Sequence, residues 1–300
     1  MSTTLKKVAI TGASGDLGTV VFAKLIASGK FDLRVLRRSG SKSTFPEGTD
    51  VVDVDFDSVD SLKSTLVGQD AIISTVGYSG LQTQLNLIDA AAAAGVQRII
   101  PSDFGANLDN PNTRQLSIFG DKVKTHEHIH DKSKTTNLTY THVYNNAFLD
   151  WGLERDFIIH ISDSKPIILD GGDLPFSATT LNSVADAVIG VLTHPEETKN
   201  RSVRIHDIVT SQNQLLALAK KVAPGKPWEV VNANLDELVK AAGARLAKGI
   251  FDLESVAPFL SRATLDPAYG GKFDTTDNEL LGVKGVEEED VIRMLEKILN

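Results

Sequence analysis

Residues Val8 to Leu25 read VAITGASGDLGTVVFAKL: an apolar strand, three glycines, then a helix with apolar positions at Leu17, Val21 and Leu25. This order predicts a dinucleotide bound at the first strand-to-helix turn. Gly12 suits the tight turn, Gly15 puts no side chain in the way of a pyrophosphate, and Gly18 lets the helix pack closely on the strand. The helix N-terminus adds unpaired N–H groups and positive dipole charge. The cradle is therefore read as Gly12, Ala13, Ser14, Gly15, Asp16, Leu17 and Gly18. A glycine-rich turn alone says little; its place between a strand and a helix gives it meaning.

The next strand, Leu33 to Ser39, ends in Arg37-Arg38-Ser39, where the adenosine ribose of a dinucleotide would lie. An acidic residue there would hold a ribose 2′-hydroxyl, whereas a guanidinium pairs with a 2′-phosphate. The basic end selects NADP(H), with Arg37 as first candidate, Arg38 as second, and Ser39 and Lys42 as helpers. A solvated basic strand end is the plainer reading of the same residues.

Strand and helix patterns alternate onward: a strand over Thr49 to Phe56, a helix over Val59 to Leu66, a strand over Asp70 to Val76, a helix over Leu81 to Ala94 and a strand over Gln97 to Pro101. Such alternation predicts an α/β fold, a doubly wound, mostly parallel Rossmann sheet with right-handed crossovers. Ligands then gather at the carboxyl ends of the strands. That rim brings Thr75, Val76 and Gly77 after the fourth strand, and Ser102 and Phe104 after the fifth, beside the glycine turn. Asn145, Asn146 and Phe148 follow a sixth strand, Leu138 to Val143, and fall on the same rim. The amides could hold a carboxamide or a substrate oxygen, and Phe148 could form an apolar wall.

After about residue 150 the alternation decays. Residues 1–156 read as the nucleotide-binding domain and 157–300 as a smaller, interleaved substrate region, with 201–208 a candidate strand returning to the main sheet. Helices are predicted over Ser183 to Thr193, Gln212 to Val222, Leu235 to Ala244 and Glu287 to Leu299.

Over 300 residues the net charge is −8, there is no basic run, and no apolar stretch is long enough to span a bilayer. Nucleic acid and membrane are therefore not expected partners. Met1 to Lys7 carries no apolar signal core and the chain has no cysteine, so a cytoplasmic location is expected.

The segments TGASGDLG, VLRRS, RIIPSDFG (Arg98 to Gly105), FGDKVK (Phe119 to Lys124), YTHVYNNAF (Tyr140 to Phe148) and ILDGGD (Ile168 to Asp173), in this order, resemble the NmrA-like branch of atypical short-chain dehydrogenases. The likeness is strongest to its isoflavone, pinoresinol-lariciresinol and phenylcoumaran benzylic ether reductases. The resemblance implies an NADPH-dependent reductase acting on a small aromatic or conjugated molecule. It implies Lys122 as general acid or base beside the nicotinamide, with Asn145, Asn146 and Phe148 bordering that ring. Lys122 shares a helix face with His126, a candidate acid-base helper, and Ile129, while Lys124 points about 200° away. Read without the resemblance, Lys122 is an exposed lysine near a helix start. Non-catalytic NmrA-like dinucleotide sensors are the rival reading, and a homodimer is left open. An isomerase or epimerase is disfavoured because no tyrosine stands four residues before a lysine, the pair that ordinary short-chain dehydrogenases use.

One stretch departs from the reductase pattern. Where the plant enzymes carry an arginine-rich RRxIE, this chain reads Thr125-His126-Glu127-His128-Ile129-His130, followed by a polar link, Asp131 to Asn137. The letters HExxH occur here, but a zinc hydrolase needs a third ligand and a different fold, so no metal is expected.

Overall fold

A computed structural model describes residues 5–300; the Met1 to Thr4 part of the expected leader-free start lies outside them. Twelve strands follow in chain order: β1 Lys7–Thr11, β2 Asp32–Arg38, β3 Asp50–Val54, β4 Ala71–Ser74, β5 Arg98–Ile100, β6 Thr139–Tyr144, β7 Ala147–Phe148, β8 Ile167–Leu169, β9 Phe176–Thr179, β10 Arg201–Arg204, β11 Ile208–Thr210 and β12 Val231–Ala233. The α-helices are α1 Asp16–Ser28, α2 Val59–Leu66, α3 Gln84–Ala94, α4 Pro111–Arg114, α5 Gly120–Thr135, α6 Leu149–Glu154, α7 Leu181–Thr193, α8 Gln212–Val222, α9 Leu235–Leu246, α10 Leu253–Leu265, α11 Asn278–Leu281 and α12 Glu288–Leu299.

Seven strands form the main sheet in the order β10-β6-β5-β4-β1-β2-β3, every pairing parallel. Parallel strands covered on both faces must be largely apolar on both, as Ala71-Ile72-Ile73 is before the buried Ser74 at the strand end. Alternation along β1 sends Val8 and Ile10 to one face, against α1 and α7 through Val21, Leu25, Val184 and Val188. It sends Ala9 to the other face, with Leu62 and Leu66 of α2 and Leu87 and Ile88 of α3. The chain returns late to this sheet: β10 pairs with β6, and α7 packs on α1, so the second half of the sequence helps build the main-sheet layer.

Two small sheets, β11-β9-β7 and β12-β8, sit with α6, α8 and α12 around Leu153, Phe176, Leu215, Val291 and Leu295. Among the described residues no helix is long and apolar enough to cross a membrane.

Four local outcomes differ from the sequence reading. The helix expected from Leu81 begins as a 3-10 turn, Tyr78–Thr83, before α3. The polar link expected from Asp131 is largely helix, since α5 runs on to Thr135. Strand β9 had no sequence signal because all four of its residues are buried and nothing alternates. Helix α10 was hidden by Pro258 in its interior. Asp252 caps it, accepting from Ser255 N–H, and Phe259 and Ala263 bury its inner face.

Candidate active site

The glycine turn divides its work in an unexpected way. Gly12 has φ +78°, and a Cβ there would lie 2.6 Å from the Thr75 backbone. A Cβ on Gly18 would lie 2.0 Å from Gly12 O. Both glycines are therefore demanded by the fold itself. Gly15 is not: its Cβ would meet only Gly12 O, at 3.4 Å. It is exposed, caps α1 with no side-chain hydrogen bond, and so leaves the first amides of the helix facing open space. The turn is closed by Gly15 N–H donating to Gly12 O at 3.0 Å. Asp16 is drawn toward α6, accepting from Trp151 Nε1 at 2.7 Å.

A cleft runs from this turn to the end of β2, between Ala13 and Ser14 on one side and Arg37, Arg38 and Ser43 on the other, with Phe45 and Phe56 as apolar walls. Arg37 is already occupied. Its Nε and Nη2 donate to the two oxygens of Asp53 at 2.6 and 3.0 Å, and Nη1 donates to Ser43 O at 2.8 Å. That hydrogen-bonded pair raises the guanidinium's pKa and lowers the carboxyl's. Arg38 is exposed and has no side-chain partner among the described residues. Ser39 spends its N–H on Val54 O, and Lys42 is exposed beyond the cleft lining.

Lys122 lies in the first turn of α5. Its Nζ donates to Phe104 O, just past β5, at 2.9 Å. Burial pushes its pKa below the ordinary lysine value, against the opposing pull of Asp103. Lys124 is exposed and pairs with Asp121 at 3.3 Å. The strand ends around Lys122 are stitched together: Thr75 Oγ1 donates to Thr11 O at 2.9 Å, Ser102 Oγ to Val76 O at 2.7 Å, and Gly105 N–H to Asn145 Oδ1 at 2.8 Å. Thr75 and Ser102 thus shape the rim by tying its strands, while Val76 lines the cleft and Gly77 opens the 3-10 turn.

Three expected site residues need correction. Asn146, at φ +52°, points its Nδ2 into the interior and donates to Ser177 O, Thr264 O and Gly271 O at 2.7, 2.8 and 2.7 Å. Its amide knots the C-terminal half to β6 and has no donor left for a nicotinamide. Asn145 is fully buried, its Oδ1 taken by Gly105 N–H and its Nδ2 by Asn146 O. His126 is buried against Asp103 and His142, so it cannot touch substrate. Phe148 is half-buried and meets Trp151 edge-on, with ring centroids 6.5 Å apart.

Behind Lys122 the sequence reading missed a corner built on Asp103. His142 Nδ1 donates to Asp103 Oδ2 at 2.5 Å, and His126 Nε2 lies 2.8 Å from the same oxygen. Burial alone would raise the Asp103 pKa; the two imidazoles outweigh it and hold the carboxyl well below its usual range. His130 is pushed down to about 4 by burial and by His142 and His126. Tyr144 is pushed up by burial and by the Asp103 and Asp109 carboxylates, and stays a phenol. The signal was period two: Tyr140, His142 and Tyr144 share one face of β6. Tyr78 (51% exposed), in the 3-10 turn after β4, stacks on Phe251 (53% exposed) with centroids 4.9 Å apart.

A model described as the NmrA-like family matches residues 4–267. The chain is 33% identical over 295 residues to "Oxidoreductase poxI" of Penicillium oxalicum, covering 93% of this chain and 90% of that protein. It is 25% identical over 241 residues to "Phenylcoumaran benzylic ether reductase PT1" of Pinus taeda, covering 72% and 74%. The solved structure "AtPrR2 with NADP+ and (+)pinoresinol" superposes with a TM-score of 0.77 at 16% identity, covering all of both chains at 100%. At that identity the superposition speaks for the fold alone.

Proposed function

The chain belongs to the NmrA-like family, and from that premise we propose that it is an NADPH-dependent reductase delivering hydride to a small aromatic or conjugated substrate, with Lys122 as the proton donor or acceptor. The observation that carries this reading is the Lys122 ammonium, half-buried and held on Phe104 O at the same strand rim as the open N-terminus of α1. Bound NADPH would supply the hydride. The residues present fit such a group: the bare N-cap at Gly15 leaves helix amides for a pyrophosphate, and Arg38 is the guanidinium free for a 2′-phosphate. Arg37 then serves as the brace that ties β2 to β3 beneath it.

Lys122 needs to exchange a proton near working pH, and burial moves its Nζ in that direction. Phe104 O fixes where the amine sits, so the proton is delivered or taken at one place. Tyr78 and Phe251 offer apolar ring faces next to the rim, which supports a ring-bearing substrate. The reading is tested by NADPH consumption across phenylpropanoids, flavonoids and quinones. Turnover is expected, and Lys122→Ala should lower it by about 10²- to 10⁴-fold while NADPH still binds. Tight NADPH binding with no turnover on any compound would instead make the chain a dinucleotide sensor.

A further inference from the structure

The proposed reduction leaves the histidine corner without a role. His126 and His130 stand one turn apart on α5, His142 faces them from β6, and one ring nitrogen of each lies within 4.8 Å of the other two. His130 Nε2 and His142 Nε2 are 3.2 Å apart. Two nitrogens bound at ~2.0–2.1 Å to one tetrahedral ion are separated by about 3.4 Å, so this pair is already close to ligand spacing.

Two further observations point to a ligand. His142 gives its Nδ1–H to Asp103, which sets the tautomer and leaves the Nε2 lone pair turned toward His130. A carboxylate behind a histidine is the arrangement that orients and strengthens metal ligands. Secondly, the buried His126 Nε2 lies 2.8 Å from the same Asp103 oxygen that His142 holds, so one carboxylate backs two of the three imidazoles.

We propose that His126, His130 and His142 form a binding site for a divalent transition-metal ion, with Asp103 as the carboxylate that orients His142. A donor set of imidazoles suits Zn²⁺, Cu²⁺ or Ni²⁺ rather than Mg²⁺ or Ca²⁺. His130, half-buried, is the entry side. Closing the site requires the His126 ring, now stacked on His142 with centroids 3.8 Å apart, to turn its nitrogen inward. The ion would clamp α5 to β6 directly behind Lys122. It would not make a hydrolase of the HExxH type, because Glu127 is exposed and pairs with Arg114 at 3.1 Å. The third ligand that the HExxH letters lacked in the sequence is supplied by β6.

The test is titration of the metal-stripped full chain with Zn²⁺ alone, in competition with a chromophoric chelator, together with thermal melting and the visible spectrum of the Co²⁺ form. One Zn²⁺ per chain, a higher Tm with Zn²⁺ and strong tetrahedral Co²⁺ bands are expected. His130→Ala, at the half-buried edge, should still fold, lose at least about tenfold in affinity and lose the Tm rise. Asp103→Asn should weaken binding by about 10- to 100-fold. His128→Ala, whose ring pairs with Asp89 at 2.8 Å outside the corner, should bind as the parent does. No stoichiometric Zn²⁺, or equal affinity in the parent and His130→Ala, overturns the proposal and leaves a plain hydrogen bond between His130 and His142. Neither NADPH nor a substrate enters the assay, so its failure leaves the reductase reading intact.

Discussion

The glycine turn after β1 and the histidine corner under α5 are both polar pockets beside the same strand ends, yet they are specified in opposite ways. In the turn, residues within one heptad set the shape: Gly12 bends, Gly18 touches Gly12 O, and Gly15 stays bare. In the corner, Asp103, His126 and His142 are brought together from the loop after β5, from α5 and from β6, and each matters only through the others. A local device can be recognised from spacing. A corner made by packing three elements cannot, because side-chain direction and register decide which groups meet.

The contrast breaks most sharply at the glycines themselves. Gly18→Ala should cost about 3 kcal/mol or more in unfolding free energy, since its Cβ would sit 2.0 Å from a backbone oxygen that cannot step aside. Gly15→Ala should leave the melting temperature nearly unchanged, its Cβ meeting nothing closer than 3.4 Å, and weaken NADPH binding instead. Equal loss of stability in both variants would erase the division between a glycine for the fold and a glycine for the ligand.

A smaller effect is expected at the end of β2. A charge-assisted guanidinium–phosphate contact contributes about 1.5–3 kcal/mol, so Arg38→Ala should lower NADPH affinity by about tenfold or more and leave NADH affinity unchanged. Arg37→Ala should instead lower stability, by freeing Asp53, and affect both nucleotides alike. Isothermal titration of each variant with both nucleotides separates the two roles; a selective NADPH loss in Arg37→Ala would reverse the assignment.

The gentlest probe is pH. Burial disfavours the charged amine, so the Lys122 pKa lies below 10.5 and the protonated fraction falls as pH rises through that lowered value. If Lys122 donates the proton, kcat/KM in the reducing direction should decline with rising pH at that point, and the oxidising direction should gain. A profile flat across this range would remove Lys122 from proton transfer.

Much of the fold was legible because its elements are locally encoded. The expected and observed helix over Val59–Leu66 coincide, and the strand expected within 201–208 does enter the main sheet as β10. The helical phase that groups Lys122 with His126 and Ile129 says nothing of its partner, and it is the fold that sets its Nζ on Phe104 O. The failures share one cause. Asn145 and Asn146 follow β6 where rim residues belong, but their amides are consumed by carbonyls and an amide from chain segments up to 125 residues away. Arg37 and Arg38 are equivalent as letters, and only the register of β2 on β3 puts Asp53 opposite the first of them.

By itself the sequence determined the alternating sheet, the glycine cradle and the basic end of β2, because periodicity, backbone permissiveness and charge act over a few residues. Tertiary packing alone decided which arginine stays free, which amides turn inward and that three histidines converge behind Lys122. Those outcomes depend on hydrogen-bond partners far along the chain, and which partner meets a side chain is set by register and burial.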